Sequence, residues 1–244
     1  MPTLTEPASR RAAELVAGLG FVAGYVDTVG FVALFGLFTA HVTGNFVLIG
    51  AELAHSSENV LLKLLVFPAF IAAVALTRMI VLWLERRGRA PLRTLLVLEL
   101  ALLGGFMLLG WAAAPVQRTD TPLAMLAGVM AAAAMGVQNA TGRLVLASLV
   151  PTTVMTGNVT QLVIDAVDLL RGAGDAAVRE RSARYVGPIV AFASGSIGGA
   201  FGCVYLGFAA LLLPIAVLVA MASTDRSLGP GPSTAQNAAR GTKS

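Results

Sequence analysis

The chain has 244 residues, of which 57% are apolar and only 12% charged, with a mean hydropathy of +0.81. A soluble domain carries about 25% charged residues, so this composition identifies lipid as the solvent and excludes an ordinary soluble domain. The net charge of +4 and pI near 9.8 do not point to nucleic acid, because the basic residues flank apolar stretches instead of clustering on one polar segment.

Residues 1–13 form a polar tail holding Arg10 and Arg11, and the apolar stretch behind them is longer than a signal-peptide core of about 7–15 residues. That stretch reads as a retained first span over residues 15–38, with Asp27 inside it and the tail cytoplasmic. A transmembrane helix needs roughly 20 mostly apolar residues. Further spans are predicted over residues 61–84 (with Arg78), 94–114 (with Glu99) and 123–142. Residues 186–224 carry no charge and are long enough for two more spans, with a bend expected at 202–207. Residues 223–244 are rich in Gly, Ser, Ala and Pro without apolar periodicity, which predicts a disordered cytoplasmic tail.

Charge placement supports six spans. With the N-terminus inside, 14 of the 17 basic residues fall on the inner side and 2, Lys63 and Arg118, on the outer side, with Arg78 inside a span. Five or seven spans would scatter them across both faces, against the positive-inside rule. The expected fold is therefore all-α and polytopic, in an inner membrane with both termini cytoplasmic.

An internal repeat divides the chain into residues 14–115 and 116–222. The triplet Thr43-Gly44-Asn45 recurs as Thr156-Gly157-Asn158, 113 positions later, and an acid follows each Asn by seven residues (Glu52 and Asp165). Gly24-x-x-Asp27-x-x-Gly30 aligns with Gly136-x-x-Asn139-x-x-Gly142. Three spans per half place the second half upside down, giving two inverted three-helix repeats with short half-helices after each TGN.

Several residues are candidates for chemistry. A TGN reads as a helix break, cap and restart, since Gly permits unusual backbone and Thr and Asn cap helices. Two restarts would present backbone N–H groups to a solute, making Thr43, Gly44, Asn45, Thr156, Gly157, Asn158 and Asn139 candidate substrate contacts at a shared site near the midplane. Two ordinary capped surface loops are the alternative. Behind the triplets, Asn158, Gln161, Asp165 and Asp168 share a helical stripe, as do Asn45, Glu52 and His55. Such stripes line a hydrated path or form the wet faces of surface helices. An ionised carboxylate at mid-span costs about 2.5–3.5 kcal/mol on insertion scales. Asp27 therefore needs a partner, water or a proton, and joins Glu52 and Asp165 as a proton-coupling candidate. A structural hydrogen bond from Asp27 to Asn139, Gln138 or Arg143 is the plainer reading. Arg78 and Glu99 lie at similar depth in a predicted hairpin, which suggests a structural ion pair.

The glycines at 195, 198, 199 and 202, with Gly20 and Gly24, suit close helix packing within one chain or across a homodimer. One cysteine and two histidines leave no metal or cofactor site, and no nucleophile or phosphate motif indicates an enzyme.

The segments A-G-Y-V-D-T-V-G-F near residue 23, both TGN triplets, M-G-V-Q-N-A at 135–140 and Y-L-G-F-A-A-L-L-L-P at 205–214 together resemble the YoaK family. These are bacterial six-span inner-membrane proteins classed as a domain of unknown function (1275). The resemblance covers residues 11–222 and implies a polytopic membrane protein of the kind listed among possible transporters. It also implies a basic residue near 143, which Arg143 supplies, and carries over no catalytic or binding residues. The expected function is passage of a small solute through the bilayer, with a non-transporting scaffold or accessory subunit as the alternative.

Overall fold

A computed structural model describes residues 6–54 and 60–224, and all regular structure among them is helical. The helices are α1 (Glu6–Ala33), α2 (Gly44–Ala54), α3 (Val60–Arg86), α4 (Leu92–Ala113), α5 (Pro122–Leu144), α6 (Met155–Leu170), α7 (Ala176–Leu206) and α8 (Leu212–Thr224), with a 3-10 turn at Gly207–Leu211. His55 and the chain beyond Thr224 lie outside the described residues. Helix α1 begins inside the segment expected to be a tail.

Five stretches among the described residues are long and apolar enough to cross a bilayer: Arg10–Ala33, Val60–Arg86, Leu92–Ala113, Pro122–Leu144 and Ala176–Thr224. The fifth holds both of the last two expected spans. It breaks at Gly207, whose φ of 56° lies in the left-handed region that glycine adopts without steric penalty. Helix α1 stops at Ala33, short of the expected residue 38, because Phe35 (φ 53°) and Gly36 (φ 80°) turn the chain back. The Gly36 amide donates to the Phe31 carbonyl at 2.8 Å and closes that end.

Helices α1 and α5 are central. Helix α5 is alanine-rich, and Ala124, Ala127, Ala131, Ala132 and Ala134 are all buried. Its slim surface lets α3 and α4 pack closely on it, although α3 and α4 make little contact with one another. Helix α1 correspondingly packs against both α7 and α8. The α1–α7 seam is set by glycine. A methyl group on Gly24 would run into the Phe192 carbonyl, and one on Gly195 into the Phe21 carbonyl. Gly20 and Gly199 likewise sit against the backbone of Pro188 and Tyr25. These four glycines therefore serve a close helix seam inside one chain.

The expected Arg78–Glu99 ion pair is not formed. Arg78 is exposed on α3, one position beyond the buried stripe Ala73, Thr77 and Val81. Glu99 is buried on α4 with no hydrogen-bond partner for Oε1. Depth along a hairpin does not bring side chains together when α5 packs on both of its arms.

Exposed apolar side chains such as Ile71, Met79 and Trp83 on α3 and Val190, Ile197 and Phe201 on α7 form the outer surface. A surface so rich in apolar groups suits contact with lipid.

Candidate functional site: two clamped loops

Each TGN asparagine reaches back seven residues and holds the loop in front of its own helix. Asn45 Nδ2 donates to the Phe38 carbonyl at 2.8 Å, and its Oδ1 accepts from the Phe38 amide at 2.9 Å. Asn158 Nδ2 donates to the Pro151 carbonyl at 2.7 Å. Proline has no N–H to return, so the second clamp has one backbone bond where the first has two. Asn158 Nδ2 also lies 3.7 Å from Met155 Sδ.

Both asparagines are buried with their amides engaged in their own loops. Helix α2 packs on α3, and α6 packs on α7. Thr43, Thr156 and Gly157 are exposed, and Gly44 is half-buried beside the Phe38 ring. The second triplet does not cap its helix: α6 starts at Met155, its N-cap position is Val154, and no side chain caps it.

A second set of bonds fastens the same loops to the preceding long helix. Asp27 Oδ1 accepts from the amides of Thr39 (2.6 Å) and Ala40 (2.7 Å), and Oδ2 lies 2.7 Å from His41 Nδ1. In the other half Asn139 Nδ2 donates to Thr153 Oγ1 at 3.0 Å. Gln138 Nε2 donates to Thr152 Oγ1 (3.3 Å) and to the Leu19 carbonyl of α1 (2.7 Å). Asp27 thus finds its partners in its own loop, and not in Asn139, Gln138 or Arg143. The Asp27 carboxylate beside His41 raises the imidazole pKa above its ordinary value, against an opposing effect of burial. The His41 ring is one-third exposed and meets Phe192 of α7 edge-on at 5.5 Å.

The acids seven residues past each asparagine are both ion-paired to the helix that follows. Glu52 Oε1 accepts from Lys63 Nζ at 2.8 Å, and the same ammonium donates to the Phe35 carbonyl at 2.9 Å. Lys63 is 1% exposed, so it is an interior group and not a surface topology charge. Asp165 takes a two-pronged contact from Arg181 at 2.6 and 3.0 Å, with Gln161 adding a bond at 2.7 Å. The guanidinium holds the Asp165 carboxyl below the usual carboxylate range. Asp168, on the same stripe, is half-buried.

The sequence reading missed His41, Lys63 and Arg181. Each has its partner 11–16 positions away on a different element, so periodicity within one helix does not reveal it.

No cluster among the described residues has the composition of a metal site. A cavity of about 180 Å³ lies at the end of α5, bordered by Asn139, Gly142, Arg143, Pro151, Thr152 and Thr153.

A family model described as "Protein of unknown function (DUF1275)" matches residues 15–224. The UPF0700 transmembrane protein YoaK of Bacillus subtilis (strain 168) is 28% identical over 152 residues, spanning 62% of this chain and 65% of that protein. The match thus covers just under two thirds of that curated relative's length. No solved structure matches the chain.

Proposed function

The chain belongs to the DUF1275 family and is a helical membrane protein, and from that premise we propose a carrier or channel for a small solute, built from two inverted halves in a bacterial inner membrane. The observation that carries this reading is the pattern of helix packing. Exchanging α1 with α5, α2 with α6, α3 with α7 and α4 with α8 turns each major contact into another one. The α1–α7 seam becomes α5–α3, α4–α5 becomes α8–α1, and α2–α3 becomes α6–α7. Inverted halves with short helices after broken spans are a recurring plan of transporters.

In this reading the 3-10 turn and α8 together form the sixth crossing. Five residues at about 2.0 Å rise and thirteen at about 1.5 Å span roughly the 30 Å of a hydrocarbon core. With Lys63 counted as interior, 14 basic residues on the inner side against Arg118 on the outer support both termini in the cytoplasm. The TGN asparagines anchor the gating loops instead of touching the solute. Asp27 with His41 forms the proton-responsive pair, while Glu52 and Asp165 tie α2 and α6 to the helices behind them.

Flux in reconstituted vesicles tests the reading. Asp27→Asn keeps an oxygen for the Thr39 and Ala40 amides and loses the charge opposite His41, so the protein folds and pH-dependent flux disappears. Unchanged flux removes the pair from the mechanism. Inversion is tested by replacing Cys203 with Ser and placing single cysteines at the exposed Thr43 and Thr156 positions. Impermeant reagents then label the two from opposite sides, and labelling from one side ends the inverted arrangement.

The second reading is a scaffold without transport, favoured by the fact that both asparagine amides are engaged within their own loops. It expects thiol labelling that no solute protects against.

A further inference from the structure

We propose that the cavity at the end of α5 is a binding site for a small oxyanion, a phosphate-, sulfate- or carboxylate-type group, held by Arg143 with the hydroxyls of Thr152 and Thr153. The assignment rests on the two-half reading above and locates the solute contact in one half only.

The two halves differ at this point. The clamp makes Phe38 and Pro151 equivalent, since each gives its carbonyl to the asparagine seven residues on. Asp27 and Asn139 are equivalent as the α-helical anchors of the two loops, and one helical turn beyond them stand Phe31 and Arg143. In the first half, Phe31 and Phe38 pack ring on ring, 4.9 Å between centroids. In the second, Arg143 and Pro151 stand in those places and border an open cavity of about 180 Å³. The glycines report the same contrast. A methyl group on Gly30 would strike Thr39, whereas one on Gly142 would meet nothing within 4 Å.

The charge inverts together with the space. The first half carries the Asp27 carboxylate, answered by His41. The second carries neutral Asn139 and the cationic Arg143, and no carboxylate among the described residues pairs with that guanidinium. No acidic side chain borders the cavity.

The hydrogen bonds around it leave donors available. Thr153 Oγ1 accepts from Asn139, and Thr152 Oγ1 accepts from Gln138. A hydroxyl that is accepting still has its own proton to give. The Pro151 carbonyl, an acceptor that would repel an anion, is already taken by Asn158. Arginine plus hydroxyl donors in a space free of carboxylates is the chemistry that recognises an oxyanion. Sites for drug-sized ligands occupy about 300–1,000 Å³, so this one takes an inorganic oxyanion, a short carboxylate or a single lipid phosphate.

Purified protein in neutral detergent is melted in sodium phosphate, sulfate or acetate against sodium chloride of matched ionic strength. At least one oxyanion raises Tm saturably by mass action, and Arg143→Gln weakens its apparent Kd by about tenfold or more. Pro151→Phe, which refills the cavity as Phe38 does, abolishes the shift while Arg143 remains. Thr153→Val weakens it and serves where Arg143→Gln does not fold. The source is separated in nanodiscs. Saturable stabilisation by soluble anion in zwitterionic lipid identifies a free solute. Stabilisation by phosphatidylglycerol that depends on Arg143 identifies a lipid headgroup, and either result supports the oxyanion site. Stabilisation that is equal in wild type and Arg143→Gln, or that survives Pro151→Phe, overturns it. The readout is binding and not flux. Binding without flux therefore removes the transport reading alone, and flux without Arg143-dependent binding removes this site alone.

Discussion

Lys63 Nζ lies 2.8 Å from Glu52 Oε1, and the lysine that carries it is 1% exposed. This is an interior ion pair linking α2 to α3, and the ammonium also holds the Phe35 carbonyl at the turn where α1 ends. Removing one partner of a buried pair costs about 3–5 kcal/mol, because the other charge stays buried alone. Lys63→Met should therefore lower the unfolding midpoint sharply, more than Glu52→Gln. The double variant Lys63→Met/Glu52→Gln should recover most of the loss, as read by thermal melts in detergent. Equal losses in the single and double variants would show that the pair is not coupled.

The two asparagine clamps should differ in strength. Asn45→Ala strands both the N–H and the C=O of Phe38, whereas Asn158→Ala strands the Pro151 carbonyl only. At up to about 1–3 kcal/mol for each group left unsatisfied, and less at the exposed Pro151, Asn45→Ala is expected to cost at least twice as much. Equilibrium unfolding in mixed detergent measures both, and a larger loss for Asn158→Ala would contradict the geometry.

His41 gives a pH dependence of known sign. Its pKa in the folded chain is raised by Asp27, so the protonated imidazole is favoured by folding. Its stabilising contribution is complete below the ordinary value of about 6.5 and fades as pH rises through the raised folded value. The Tm difference between wild type and His41→Gln should be larger near about pH 5.5 than near about pH 8.5. A difference that grows on the alkaline side would mean that His41 folds neutral.

The α1–α7 seam should reject a single methyl group. At Gly24 the obstacle is the Phe192 carbonyl, which is backbone and cannot rotate away. Gly24→Ala is expected to cost about 1–3 kcal/mol or more through overpacking. Gly104→Ala on α4 meets nothing within 4 Å and should be neutral or stabilising by up to about 1 kcal/mol, the helix-propensity gain. Paired melts of the two variants check the contrast.

Span positions were readable from sequence because hydropathy and basic flanks act through local chain length. The expected 61–84, 94–114 and 123–142 became Val60–Arg86, Leu92–Ala113 and Pro122–Leu144. The bend expected at 202–207 falls at Gly207. That both TGN asparagines and Asp27 have hydrogen-bond partners was also readable, since a polar side chain in an apolar context must find one. Which partner each one finds was not visible. Asp27 turns to a loop 12–14 residues on, because the positive φ at Phe35 and Gly36 folds that loop back on its helix. Nothing in the spacing of 27 and 41 encodes that turn. Arg78 and Glu99 stay apart for a different reason: adjacency in sequence does not make α3 and α4 neighbours, and α5 packs on both.

The seating of α5 with α3 and α4, and of α1 with α7 and α8, has a consequence for biogenesis. A nascent chain released after α4 would hold an empty slot for α5 and an unpartnered flank on α1, so neither portion is a self-sufficient folding unit. The packing of α1 is completed only once α7 and α8 have also been made. The product is threaded like an exchanged pair of subunits joined into one polypeptide.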